Sequence, residues 1–279
     1  MADNKIYYRS EKSKDNFHMV NEDYVMFSKF SFINDDEIDV IALADGMGGM
    51  QDGDVASRAA CEEFVHVFYK ELMKKYITQR ENFTILHYCN DIKYAAFEAM
   101  KAANQNVLST AMEGVSTGTT LSVAILVGQY FLTMNVGDTP VYYYKASENS
   151  IRQIADIQTK AEKEYHEGKY KRYSREYYNN DYILTHYLGQ YTNLSEDIIS
   201  YHIEECVEVG DFILICSDGA AGFRKPEEIA DILLRHEDDY DLALECLFQN
   251  AMKFSDIYGS GNEEDEYEDD QTAVYLRVL

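Results

Sequence analysis

Apolar and polar positions along this chain follow two periods. Val40-Ile41-Ala42-Leu43-Ala44 and Phe212-Ile213-Leu214-Ile215-Cys216 are short unbroken apolar runs, the pattern of buried strands. Leu121 to Val127, Tyr130 to Val136 and Val141 to Lys145 are also strand-like, with Gly128-Gln129 as a hairpin turn between the first two. Tyr24 to Phe27 and Ala273 to Val278 add strands near either end. Helical spacing runs through segment 53–76 at Phe64, Val67, Phe68 and Leu72, and through 84–108 at Ile85, Cys89, Ile92, Ala96 and Met100. Pro226 suits the first turn of a helix reaching about Arg235, and another helix is predicted from about Tyr240 to Phe254. Two helices, a block of strands, two further helices and a final strand predict a layered α+β fold. No interdomain linker or internal repeat interrupts the pattern.

Composition sets the bounds. The 279 residues are 46% apolar, enough for one large core, so residues 1–279 are expected to form a single domain. No apolar stretch approaches the roughly 20 residues of a membrane span, and the N-terminus lacks a signal peptide's apolar region. Without such a span no membrane partner is expected, and Cys61, Cys89, Cys206, Cys216 and Cys246, scattered without metal-ligand spacing, fit a reducing cytoplasm. A net charge of −25 argues against a nucleic-acid groove, because phosphates would be repelled. The acidic run from Glu263 to Asp270 reads as a solvated loop, except for Asp269, which stands just before a strand.

The candidate chemistry lies where strands end. Asp45-Gly46-Met47-Gly48-Gly49 follows the first apolar run, and Asp218-Gly219 follows the second. Gly137-Asp138 follows Val136, Asp269-Asp270-Gln271-Thr272 precedes the last strand, and Asn21-Glu22-Asp23 precedes Tyr24. These are either five ordinary turns or one converging cluster. If they converge, the carboxylates repel one another unless cations sit among them. Hard divalent cations take such carboxylate and carbonyl oxygens, and the glycines let backbone carbonyls approach.

In this order, Asn-Glu-Asp, Ala-Asp-Gly-Met-Gly-Gly, Ser116-Thr117-Gly118-Thr119-Thr120, Val-Gly-Asp-Thr (136–139), Cys-Ser-Asp-Gly (216–219) and Asp-Asp-Gln-Thr resemble the motifs of the metal-dependent protein phosphatases, type 2C, in their bacterial branch. The resemblance runs from about Tyr8 to Val278. It implies a four-layer αββα sandwich of two antiparallel sheets flanked by helix pairs. It also implies hydrolysis of phosphoserine or phosphothreonine in proteins by a hydroxide bridging two metals, Mn2+ or Mg2+. Asp45 then resembles the bridging ligand, Gly46 gives a carbonyl to one metal, and Glu22 holds that metal. Asp218 and Asp269 resemble the ligands of the other, Asp269 rather than Asp270 because it lies three residues before Thr272. Asp138 with Asp218 matches a weaker third metal. The partners implied are phosphorylated proteins, substrates of a serine/threonine kinase.

Three positions depart from the family. His18 stands where an arginine clamps the substrate phosphate, and two readings follow. Either His18 is a solvated loop residue and the clamp is missing, or a protonated His18 binds phosphate. The first reading leaves room for a weakly active relative that senses phosphate or binds partners. Pro140 follows Gly-Asp-Thr where relatives often carry arginine, and Met47 replaces the histidine of many eukaryotic relatives. Segment 156–191 occupies the place of the family's flap and interleaves tyrosines with lysines and arginines. It reads either as an exposed helix with snorkelling lysines or as a docking surface for an anionic phosphopeptide, centred on Lys171 and Arg172.

Overall fold

A computed structural model describes residues 4–13, 19–31, 37–47, 52–78, 85–111, 117–204, 206–222, 224–249 and 269–279. His18, the expected phosphate contact, lies outside the described residues. Among the described residues, ten strands form two five-stranded antiparallel sheets. The first sheet contains β2 (Asp23–Ser31), β3 (Glu37–Asp45), β4 (Leu121–Val127), β5 (Tyr130–Val136) and β8 (Ser200–Glu204), side by side in that order. The second runs β1 (Lys5–Glu11), β10 (Gln271–Arg277), β9 (Phe212–Cys216), β6 (Val141–Lys145), β7 (Ser150–Gln153).

Each sheet carries a helix pair on its outer face. Helices α1 (Gly53–Thr78) and α2 (Ile85–Thr110) supply Phe64, Phe68, Leu72, Ile92 and Met100 to the outward-facing Val40, Ala42, Val123 and Ile125. Helices α5 (Pro226–Arg235) and α6 (Tyr240–Gln249) lay Ile229, Leu233, Leu244 and Leu247 on Phe212, Leu214 and Tyr275. Because side chains alternate along a strand, the intervening residues face the other way. Ile41, Leu43, Leu126 and Phe131 of the first sheet therefore meet Val141, Tyr143, Ile213, Ile215 and Val274 of the second. The result is the αββα sandwich that the motifs imply.

Gly128 adopts the left-handed backbone (φ 57°) that the short turn between β4 and β5 requires. β1, β7 and β8 were not signalled by the sequence pattern. All three are edge strands, and their residues are largely half-buried or exposed, so no apolar alternation marks them. The flap is not one exposed helix. It folds as α3 (Lys160–His166), capped by Thr159, and α4 (Arg175–Tyr178), capped by Ser174, around a small core of Ala161, Tyr177 and Tyr178.

Candidate active site

Strand register brings the acidic residues together. Asp23 opens β2, Asp45 closes β3, and the antiparallel ladder sets the two directly opposite each other, a repulsive arrangement for like charges. At the same end of that sheet, Val136 closes β5 opposite Leu121, and Gly137-Asp138 lead on toward β6. In the second sheet Cys216 pairs with Ala273. Asp218, just after β9, and Asp269, just before β10, therefore share one end as well. The short Asp138 connection joins the two ends into one acidic floor.

The carboxylates share one electrostatic field. Burial raises the Asp45 pKa well above the usual carboxylate range, and the charges of Asp23, Asp218, Asp269 and Asp138 raise it further. Asp138 is raised by burial and then by Asp218, Asp181 and Asp269. Burial and Asp218 push Asp269 up to about 8, and burial leads the rise of Asp23 to about 7. Asp218 is also raised by burial, partly offset by the Gly219 N–H and by hydrogen bonding with Asp45. Solvent reaches Asp218 and Asp269 along one side, while protein crowds them on the others; Asp45 and Asp138 are half-buried. The cluster thus floors an open cleft.

The backbone around Asp45 is fixed from several directions. Its N–H donates to Thr120 Oγ1 at 2.9 Å, and its carbonyl accepts from Thr119 Oγ1 at 2.8 Å and from the Thr120 N–H at 2.9 Å. Gly46 donates its N–H to the Glu22 carbonyl at 3.1 Å. Gly46 has no room for a side chain, since a Cβ there would stand 2.7 Å from the Glu22 carbonyl oxygen and against the Gly53 backbone, and the Glu22 carboxylate lies over Gly53. Glu22, Asp45 and Gly46 are therefore neighbours. On the other side, the Ser217 N–H donates to the Thr272 carbonyl at 2.8 Å, which joins the Asp218 turn to the strand that follows Asp269.

The cluster fits hard cations. Every charge that acts strongly on Asp45 is another carboxylate. Asp23 is only 7% exposed, and neither of its carboxylate oxygens has a hydrogen-bond partner; the Ser217 and Thr272 hydroxyls lie nearby without reaching it in ordinary geometry. Two buried acceptors without a proton donor are costly unless a cation or water satisfies them. Among the described residues, no three His, Cys, Asp or Glu side chains already stand in a metal-ligand arrangement, so the carboxylates share a field without forming a closed cage.

Three acidic residues enter the site to which the sequence assigned no role of their own. Asp23 does so through its register with Asp45. Asp181 reaches it from the flap, where burial and Asp218 push it up to about 7 and Thr159 Oγ1 donates to it at 3.3 Å. Asp270 binds backbone N–H groups. Only strand pairing and the folded flap reveal these roles.

Within the flap Arg172 is paired: its Nε donates to Glu162 Oε1 at 2.6 Å and its guanidinium lies against Tyr165 and Tyr173. Glu162 is buried and also accepts the Tyr177 hydroxyl at 2.5 Å. A buried carboxylate needs such compensation. Lys171 remains exposed.

A sheet sandwich flanked by helix pairs, with aspartates gathered at one end of both sheets, defines a class of proteins as well as a shape. The family model described as Protein phosphatase 2C matches residues 18–253, and the chain belongs to that family. The chain is 26% identical over 205 residues to the serine/threonine phosphatase stp of Listeria welshimeri, a match that spans 72% of this chain and 74% of the relative. Its fold resembles the S. agalactiae serine/threonine phosphatase with a TM-score of 0.70 at 16% identity, covering 99% of this chain and 100% of the other. It also resembles the catalytic domain of the phosphatase PstP, solved in complex with two manganese ions, with a TM-score of 0.65 at 20% identity over 99% and 98% of the two chains.

Proposed function

We propose that this chain is a metal-dependent serine/threonine phosphoprotein phosphatase, acting as one catalytic unit over residues 1–279. The observation that carries the reading is the convergence of Asp45, Asp138, Asp218 and Asp269 in one field whose strong contributors are all carboxylates. Asp45, Asp218 and Asp269, with the Gly46 carbonyl and Glu22, would hold two divalent cations; Asp138 with Asp218 would hold a weaker third. The all-oxygen donor set favours Mn2+ or Mg2+ over zinc, and the manganese-bound PstP domain supports that choice.

Bound there, such cations supply Lewis-acid activation of water and of the phosphoryl group. The chain's own residues keep that chemistry in register. Thr119 and Thr120 fix the Asp45 backbone, so its carboxylate projects into the cleft from a rigid turn. Asp218 and Asp269 sit where solvent and substrate can reach them. The phosphorylated partner proteins would be products of a serine/threonine kinase. The five free cysteines fit a cytoplasmic setting, and no helix among the described residues is long and apolar enough to cross a membrane.

The test is hydrolysis of a phosphothreonine peptide by purified protein with Mn2+, with Asp45→Asn and a chelator as controls. Turnover abolished by both controls supports the reading. Bound Mn2+ with no turnover would overturn it in favour of a phosphate-sensing relative.

A further inference from the structure

Asp269 and Asp270 are adjacent acids with different surroundings. Asp269 is open to the cleft and lies in the field of Asp218. Asp270 is 6% exposed, and each of its carboxylate oxygens is already used. Oδ1 accepts the Ser13 N–H at 2.7 Å, and Oδ2 accepts the Glu22 N–H at 2.7 Å. The chain thus leaves one oxygen of this carboxylate at Ser13 and returns to the other at Glu22. No other residue type suits the position as well. An ionised carboxylate offers two acceptors and no donor, and two facing N–H groups ask for that. Such charge-assisted bonds are short and about twice as strong as neutral ones.

The surrounding bonds tighten the same junction. Ser10 Oγ and Thr272 Oγ1 are 2.8 Å apart, and Asn21 Nδ2 donates to Ser10 Oγ at 2.9 Å. Asn21 Oδ1 in turn accepts the Asp23 N–H at 2.9 Å. Ser10 also sits opposite Thr272 in the ladder between β1 and β10. Through Asp270 and Ser10, these bonds tie the segment ahead of β2 to the segment that leads into β10. The first of these segments carries Glu22, and the second carries Asp269.

We propose that Asp270 is a positioning residue: its carboxylate staples Ser13 and Glu22 to the root of β10, and so sets Glu22 against the half of the metal centre that Asp269 and Asp218 build. This rests on the phosphatase reading for the role of Glu22, while the staple itself is a property of the metal-free chain. Asp270 touches neither substrate nor cation in this assignment. It acts through the backbone of Glu22, and it links ligands from the two sheets through a single side chain.

The experiment is amide hydrogen exchange on the metal-free protein, joined to Mn2+ titration by calorimetry. In wild type the Ser13 and Glu22 amides exchange about a hundredfold or more slower than in an unstructured peptide. In Asp270→Asn one acceptor is replaced by an NH2 group facing an N–H donor. At least one of the two amides then loses about tenfold of protection, and Mn2+ affinity falls by about tenfold, the worth of one charge-assisted bond. Freely exchanging Ser13 and Glu22 amides in wild type overturn the staple, whether or not the variant folds. Faster exchange in Asp270→Asn with an unchanged Mn2+ affinity overturns the positioning role, because a structural bond alone would behave that way. Wild-type protein that protects both amides yet binds no Mn2+ overturns the phosphatase reading and the positioning role together, and leaves the staple standing.

Discussion

The Thr120 hydroxyl stands between the Asp45 N–H, 2.9 Å away, and the Thr139 hydroxyl, 2.6 Å away. Thr139 follows Asp138, so one buried pair of hydroxyls ties the loop of Asp45 to the loop of Asp138. Ser122 Oγ extends the chain by donating to the Thr139 carbonyl at 2.6 Å. Thr120→Val keeps the shape and removes the acceptor, leaving the Asp45 N–H without its partner. The expected cost is about 1–3 kcal/mol of stability. Turnover should fall by about tenfold or more while KM changes little, because the loss falls on the placement of Asp45. Denaturant unfolding and steady-state kinetics check both parts.

Stability without metal should depend on pH in a definite direction. In the folded chain Asp23 and Asp181 are pushed up to about 7 and Asp269 to about 8, whereas an unfolded chain releases these protons near pH 4. Between those limits the folded state holds more protons than the unfolded one, so stability falls as pH rises. The Tm of chelated protein should therefore drop on going from about pH 5 to about pH 8. Saturating Mn2+ should flatten or reverse the trend by replacing protons with cations. A Tm that rises with pH in the chelated protein would contradict the acidic cluster.

The flap should unfold independently when its buried charge loses its partner. Arg172→Ala leaves Glu162 buried with the Tyr177 hydroxyl and the more distant His166. Because Arg172 is itself partly exposed, the expected cost is about 1–3 kcal/mol, below that of a fully buried pair. Limited proteolysis should cut within 156–191 in the variant before wild type is touched there, with the main thermal transition little changed. Loss of the whole transition would show that the flap supports the sandwich.

Lys171 isolates the docking question, since Arg172 is committed internally. Lys171→Glu should raise KM for a phosphoprotein by about two- to fivefold, the range of an exposed charge, and leave KM for a small aryl phosphate unchanged. Equal changes for both substrates would end the docking reading.

Much of the sandwich was legible because its central strands and long helices are strongly patterned. Ile41 and Val40 face opposite layers, and both are fully buried, so the apolar run at 40–44 marks a strand covered on both sides. β8 pairs Tyr201 with Met134 but leaves Tyr201 half open, so no alternation reveals it. The site was legible through aspartates beside glycines at strand ends, where the backbone must turn. Asp23 and Asp270 escaped because their roles depend on pairings across 22 and 248 residues of chain, respectively, from Asp23 to Asp45 and from Glu22 to Asp270. The internal partner of Arg172 was hidden for a different reason. A basic residue among tyrosines looks available until the fold shows which buried acid claims it.

β10 lies between β1 and β9, hydrogen-bonded to both. Translation makes β1 early and β10 only after everything else in the sandwich. A nascent chain that has reached Gln249 has no pairing strand for β1 and lacks both Asp269 and Asp270. The cleft therefore cannot assemble until β10 has emerged and inserted, and a chain stalled before Asp269 should carry no phosphatase activity. Insertion of this one strand is thus the step that switches the nascent chain on.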